Sequence, residues 1–380
     1  MPRVALLIET TRTYSRDILQ GVRRFIDTHA PWSCFIELRA LETETPEWIR
    51  CWRGDGILTR TFTQEMADLI TATSLPAVEL RSTDLDHSFP FVGMDNRLIG
   101  QSVAEHFLTR GYRNFGIYSL GCEMFFRERN EKFKSAIEAA DCQYDELVTE
   151  ESTAGIGWED EQQRLMKWLH KIPTPAGLFA TNDSLAVRVL EACQRAGIRV
   201  PEEIAVVGTE NEETLCSFAQ PPLTSVVFDG ETVGMRAAEM LDGMMRGERP
   251  EPCVYVAPKG ILRRQSSDEM VLADRVIATA LYMIRQEACQ GLSVSDVAER
   301  LNISRSTLER RMRTAIGRAP KAEILRHRFL RVEELLRSSN KTVETIAEET
   351  GFQNPNYLHQ VFRQRHGMTP NQFRQSFATS

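Results

Sequence analysis

No two of the eight cysteines (Cys34, Cys51, Cys122, Cys142, Cys193, Cys216, Cys253 and Cys289) form a C-x-x-C pair. That spacing speaks against a zinc ribbon and against a disulfide framework. No apolar run approaches the roughly 18–20 residues that span a bilayer. The start, Met1-Pro2-Arg3-Val4-Ala5-Leu6-Leu7-Ile8, enters an apolar strand directly, without the small-residue cleavage site of a secretory signal. The loop that follows, Glu9 to Arg16, contains no glycine. A phosphate or dinucleotide cradle needs glycines there, so a nicotinamide enzyme loses its main support. The seven histidines sit in no motif that marks a catalytic base. The chain therefore reads as a soluble, reduced, cytoplasmic protein with no membrane partner.

What is present is ordinary globular material, 42% hydrophobic and 26% charged, over 380 residues. At about 100–200 residues per domain, that length calls for two or three units. Charge divides them. Residues 271–380 hold 17 Lys and Arg against 11 Asp and Glu, whereas the whole chain is formally −7. An acidic body with a basic tail points to a tail that meets a polyanion.

Along the first 265 residues, short apolar runs alternate with helical spacing. Val4–Ile8 precedes Ile18, Val22, Phe25 and Ile26; Gly56–Leu58 precedes Met66–Ile70; Ala77–Leu80 is a further strand. Phe91–Met94 precedes Val103, His106 and Phe107; Phe115–Tyr118 precedes Phe133–Ala140. Gly177–Ala180 precedes Leu185–Ala196, and Ile204–Val207 follows the turn at Gly197 and Pro201. Strand–helix alternation of this kind predicts parallel sheets built from right-handed crossovers. So many units suit two doubly wound lobes. In such sheets ligands sit beyond the carboxyl ends of the strands.

The loops resemble the sugar-binding domain of LacI-type repressors, which is also the periplasmic-binding-protein fold. The resemblance covers about residues 3–263. It is carried by Val92-Gly93-Met94-Asp95-Asn96 with Gly100, Ala104, His106 and Gly111-Tyr112-Arg113; by Leu178 to Asp183 with Ala186; and by Pro201 to Gly208 followed by Pro221 to Val226. Two departures stand out. Glu210 occupies the position where these repressors usually carry Asp. The first strand begins at Val4, which leaves no room ahead of it for their helix-turn-helix.

A DNA reader is expected at the other end. Ser293 or Ser295 caps a helix, Leu301-Asn302-Ile303 turns, and Ser304 to Met312 begins a second helix. Val297, Ala298, Leu301, Ile303, Leu308 and Met312 have the apolar spacing of a helix-turn-helix core. The pattern returns about 50 residues on, from Val343 to Phe362, with an amphipathic helix, Ala322 to Leu336, between. Ile346-Ala347, Gly351-Phe352, Tyr357-Leu358, Val361-Phe362-Arg363, Gly367-Met368-Thr369-Pro370 and Phe373-Arg374 resemble the AraC/XylS signature over about 271–377. The two domains together are similar to the xylose-operon regulator family. The resemblance implies a dimeric transcription activator whose effector is D-xylose and whose partners are promoter DNA and RNA polymerase. Nothing in composition or spacing shows xylose, and the alternative is the same architecture responding to another pentose, a hexose or a sugar derivative.

The expected architecture is a two-lobed α/β domain, residues 1–265, a linker, 266–274, and an all-α domain with two helix-turn-helix motifs, 275–380. A sugar is a ring of hydroxyls with apolar faces, gripped by carboxylates, amides and planar Arg and covered by aromatic rings. By its position in the LacI-type pattern, Arg129 should reach ring hydroxyls, with Arg127 as its rival. Asp95, Asp183 and Glu210 end strands and face the cleft, although Asp95 and Asp183 are equally placed to cap helices. Tyr14 and Phe228 are candidate stacking surfaces. The DNA-reading positions are Arg305, Ser306, Glu309 and Arg310 in the first motif and Asn354, Asn356, His359 and Gln360 in the second. Arg suits guanine, and Asn or Gln suits adenine. Glu309 either accepts from cytosine or orients Arg310. Arg363, with Lys341 and Arg365, is a phosphate contact. The rival reading, an amidase-like domain with Cys122 as nucleophile, lacks the glycine of a strained elbow after it. No metal or cofactor, and no enzymatic activity, is expected.

Overall fold

The computed structural model describes residues 1–29, 31–36, 45–121, 123–149, 157–268, 274–339, 341–352 and 354–378. Its contacts fall into two units, residues 1–269 and 270–380.

The first unit begins with β1 (Arg3–Leu7), α1 (Thr13–Thr28), β2 (Ser33–Ile36), β3 (Gly56–Thr59), α2 (Gln64–Ala72), β4 (Ala77–Glu79) and β5 (Phe91–Met94). The chain then crosses to a second lobe: α3 (Asn96–Leu108), β6 (Asn114–Leu120), α4 (Met124–Ala139), β7 (Gln143–Thr149), α5 (Trp158–Leu169), β8 (Ala176–Ala180), α6 (Asp183–Ala196), β9 (Ile204–Glu210), α7 (Glu213–Phe218) and β10 (Thr224–Val227). It returns for α8 (Gly230–Met245) and β11 (Cys253–Val256), and crosses a third time to β12 (Gly260–Leu262). The sheets run β11-β5-β4-β3-β1-β2 and β12-β10-β9-β8-β6-β7. Every pairing is parallel except β10 with β12. Central strands such as β1, β3 and β8 are apolar and buried because helices cover both faces. The edge strands β2 and β7 are half-exposed and carry no such run, so their sequences announce them poorly.

Two helix pairs hold the lobes in shape. In the first lobe α1 packs along α8 so closely that a Cβ on Gly21 would strike the Glu231 carbonyl, and one on Gly234 the Ile18 carbonyl. In the second lobe α3 packs along α4, and a Cβ on Gly100 would strike the Arg129 carbonyl. Both α3 and α8 directly follow a crossover.

Residues 266–268, expected in the linker, belong to the first unit. The Ser266 hydroxyl donates to the Val206 carbonyl and accepts from the Thr224 amide, and both Ser266 and Ser267 are buried.

The second unit is all-α: α9 (Arg275–Glu287), α10 (Val294–Arg300), α11 (Arg305–Ile316), α12 (Pro320–Ser338), α13 (Val343–Glu349), α14 (Pro355–His366) and α15 (Pro370–Ala378). It has two apolar cores. One gathers Ile284, Val297, Leu308 and Met312, and the other Val332, Ile346, Leu358 and Phe362. Ile324, Phe329, Val332, Leu335 and Leu336 of α12 are buried at the expected spacing, and the helix serves both cores. Ser293, rather than Ser295, caps α10, in a reciprocal box with Asp296. No described helix is long and apolar enough to cross a membrane.

Candidate functional site

The two lobes of the first unit enclose a cleft of about 550 Å³ at the carboxyl ends of their strands. Its second-lobe wall is organised by Arg129 of α4. This buried guanidinium donates from Nε to Asn96 Oδ1 (3.0 Å) and from Nη1 to the Thr181 carbonyl (2.7 Å) and Thr209 Oγ1 (3.1 Å). Glu210 Oε1 stands 4.0 Å from Nη1, and the rings of Phe125 and Phe228 lie under the guanidinium. Burial lowers the Arg129 pKa to about 10, so the group remains a cation at neutral pH.

The first-lobe wall is organised by Arg60. Its Nη1 pairs with the buried Glu9 carboxylate and donates to Ser15 Oγ, 2.6 Å away. Ser15 in turn donates to Glu9. Arg60 Nε and Glu9 Oε2 are buried without a hydrogen-bond partner. Arg60 lies over the Tyr14 ring, centroid 5.4 Å away, and Tyr14 meets Phe228 edge-on at 5.2 Å. Two guanidinium groups from opposite lobes therefore flank one aromatic pair. Burial pushes the Tyr14 hydroxyl up to about 12, which keeps it a proton donor.

Contacts across the cleft hold the lobes together. Glu212 accepts from both the amide (3.1 Å) and the hydroxyl (2.6 Å) of Thr13 at the start of α1. Arg81 pairs with Glu123, Ser82 donates to Glu128, and Arg12 stands 3.6 Å from Glu210.

The cleft thus brings together Tyr14, Arg129, Glu210 and Phe228 among the residues read from sequence. The other three do not line it. Asp95 caps α3, its carboxylate accepting from the Leu98 amide at 3.0 Å. Arg127 points to solvent and pairs with Asp84, because two residues, about 200° around the helix, turn it off the cleft face that Arg129 occupies. Asp183 lies behind the wall, accepting from Ser225 Oγ (2.6 Å) and the Glu212 amide (2.8 Å). It is not the cap of α6, which is Asn182. Asp183 instead shapes the loop that presents Glu210 and Glu212. Burial raises its pKa to about 7. Cys122 lies outside the described residues.

Arg12, Arg60, Arg81, Asn96 and Glu123 also line the cleft and were not singled out by sequence. The signal existed. Arg60 and Arg81 fall within two residues of the ends of β3 and β4, where the rule for ligand position points.

In the second unit, Ser304 caps α11 by accepting from the Thr307 amide, and Thr342 and Asn354 cap α13 and α14. Arg305, Ser306 and Arg310 on α11, and Asn354, Asn356, Gln360 and Arg363 on α14, are exposed, with Glu309 and His359 half-buried. Glu309 pairs with Arg305 (3.2 Å), four residues earlier, and not with Arg310. Lys341 is held by Glu349, and Arg365 lies over the Phe329 ring, so Arg363 is the freer cation of the three.

Comparison with known proteins matches residues 3–96 to the XylR N-terminal domain, 104–267 to a periplasmic binding protein-like domain and 297–376 to a helix-turn-helix domain. The xylose operon regulatory protein of Escherichia coli (strain K12) is 28% identical over 98% of this chain and 96% of its own length. That of Haemophilus influenzae is 26% identical, covering 98% of each chain. The solved structure of a xylose-binding transcription activator, xylR, superposes with a TM-score of 0.79 at 26% identity, over 99% of this chain and 98% of that one.

Proposed function

We propose that the chain belongs with the transcription regulators that join a periplasmic-binding-protein-like domain to a helix-turn-helix domain, as the xylose operon regulatory proteins to which it is similar do, and that it works as such a regulator. It is a sugar-responsive, DNA-binding regulator. The effector enters the cleft between the lobes, where Arg129 and Glu210 meet its hydroxyls and Tyr14 and Phe228 cover an apolar face. Binding stabilises the closed lobes, in which Glu212 holds the start of α1. In a homodimer, closure resets the spacing of the DNA-binding units, and α11 and α14 enter successive major grooves of promoter DNA. Activation follows when RNA polymerase is recruited beside it.

The observation that carries this reading is the pairing, in one chain, of a lobe-bridging cleft with two capped helix-turn-helix units. D-xylose is the effector that the relatives' names put first. One observation favours a different sugar: the number of arginines in the lining. The test is calorimetric titration of the full chain with D-xylose and a panel of pentoses and hexoses, followed by gel shifts of promoter DNA with and without the ligand that binds. Failure of every sugar to bind, or DNA binding indifferent to the ligand that does, rejects the mechanism.

A further inference from the structure

Five arginines line the cleft: Arg12, Arg60, Arg81, Arg129 and Arg188. Among the described residues, two carboxylates, Glu123 and Glu210, share that lining. The carboxylates that pair with Arg60 and Arg188, Glu9 and Glu161, are buried outside it. Glu128, the other acid that acts on Arg129, is engaged by Ser82 and Asn96. A neutral sugar presents hydroxyls that each donate and accept, and asks for donors and acceptors in similar number. Guanidinium groups only donate. Of the two carboxylates, Glu123 is taken up by Arg81, and Glu210, 3.6 Å from Arg12 and 4.0 Å from Arg129, is left as the acidic acceptor of the lining. The open donors outnumber it. Among the described residues neither Arg129 Nη2 nor the Tyr14 hydroxyl has a hydrogen-bond partner, and Arg60 Nε, buried beneath the wall, has none either. An acidic group is the complement of such a wall, since it accepts without donating and pairs with planar guanidinium in a bidentate fork.

We infer that the effector is a monosaccharide bearing one acidic group, a carboxylate or a phosphate, held between Arg60 of the first lobe and Arg129 of the second across the Tyr14–Phe228 pair. The inference rests on the reading of the cleft as the effector site and narrows the class of ligand it takes. It assigns Arg60, with Glu9 behind it, as the residue that sets specificity from the first lobe. An acidic group between the lobes would give Arg60 and Arg129 a common partner, so closure would depend on the ligand.

The test uses the full-length chain and sugars matched in stereochemistry: D-xylose with D-xylonate and D-xylose 5-phosphate, and D-glucose with D-gluconate, D-glucuronate and D-glucose 6-phosphate. In calorimetry, at least one acidic member should bind tenfold or more tightly than its neutral counterpart, and the carboxylate and phosphate arms identify the group. A neutral sugar that binds as tightly as its acids in every series overturns the inference and leaves the effector reading standing. Silence from every compound overturns both. Arg60→Gln should erase the preference for the acid. Because that change strands the buried Glu9 carboxylate, the double variant Glu9→Gln/Arg60→Gln serves as the check on folding. Retention of the full acid preference by a folded double variant would remove Arg60 from the site.

Discussion

Arg129 is bonded to three acceptors on α3, the β8 loop and β9, so the side chain proposed to meet the effector also ties the second-lobe wall together. Arg129→Ala should weaken effector binding by about 2–4 kcal/mol, roughly 30- to 1000-fold in Kd. It should also lower stability by about 1–3 kcal/mol, because the Thr181 carbonyl and Asn96 amide lose a donor. Calorimetry and urea unfolding separate the two effects. Glu79 supplies a second test at this scale. The carboxylate is buried and accepts from the amides of Thr61, Leu80 and Arg81 (2.9–3.1 Å), with His87 3.8 Å away. Burial nevertheless raises its pKa from 4.5 to about 7. A carboxyl raised on folding stabilises the native chain fully below pH 4.5, and that contribution is lost as pH rises through 7. His87, pushed down by burial, stays neutral there and offers no compensating charge. Glu79→Gln should therefore gain about 1–3 kcal/mol at pH 8 and almost nothing at pH 4.5, read from urea midpoints. Arg129, Glu210, Tyr14 and Phe228 were legible because a family pattern or a strand end marked them. Arg60 also follows a strand end, but its pairing was not legible, because Glu9 and Ser15 are 51 and 45 positions away and meet it only when β1 and β3 pair.

The two recognition helices were legible almost to their caps, since capping chemistry and apolar spacing are local signals. The pairing of Glu309 with Arg305 rather than Arg310 was not, because it depends on which rotamers face each other over one helical turn. The pair leads to a contrast. Arg305→Ala, if its fork reads a guanine, should lose about 1–3 kcal/mol on operator DNA and relax preference at one base pair. Arg363→Ala should weaken operator and scrambled DNA alike and flatten the salt dependence by about one unit of slope. Gel-shift titrations at several salt concentrations distinguish reading from positioning, and two identical profiles would deny α11 its role. The edge strands β2 and β7 escaped the sequence for the opposite reason: a half-exposed edge needs no continuous apolar run.

At the scale of the whole molecule, the first unit closes on itself through few contacts. Glu212 is one that no ligand mediates, and it holds Thr13 across 199 residues of sequence. Glu212→Ala should shift the lobes toward opening and weaken effector binding by about 1 kcal/mol, roughly fivefold, with the cleft wall intact. Unchanged calorimetric affinity would mean that the lobes close without this latch. The glycine contacts between paired helices carry a further consequence. Tyr14 rides on α1 and Arg129 on α4, and each of these helices lies backbone to backbone against one that leaves a crossover, α8 or α3. A ligand that pulls on either side chain therefore moves a crossover directly, with no compressible side chain between. Gly21, Gly100 and Gly234 should refuse even alanine, whereas an exchange on the cleft wall costs affinity and a part of the stability without forcing two backbones apart. A lineage carrying this machine is free to retune what it senses while inheriting unaltered the way it answers.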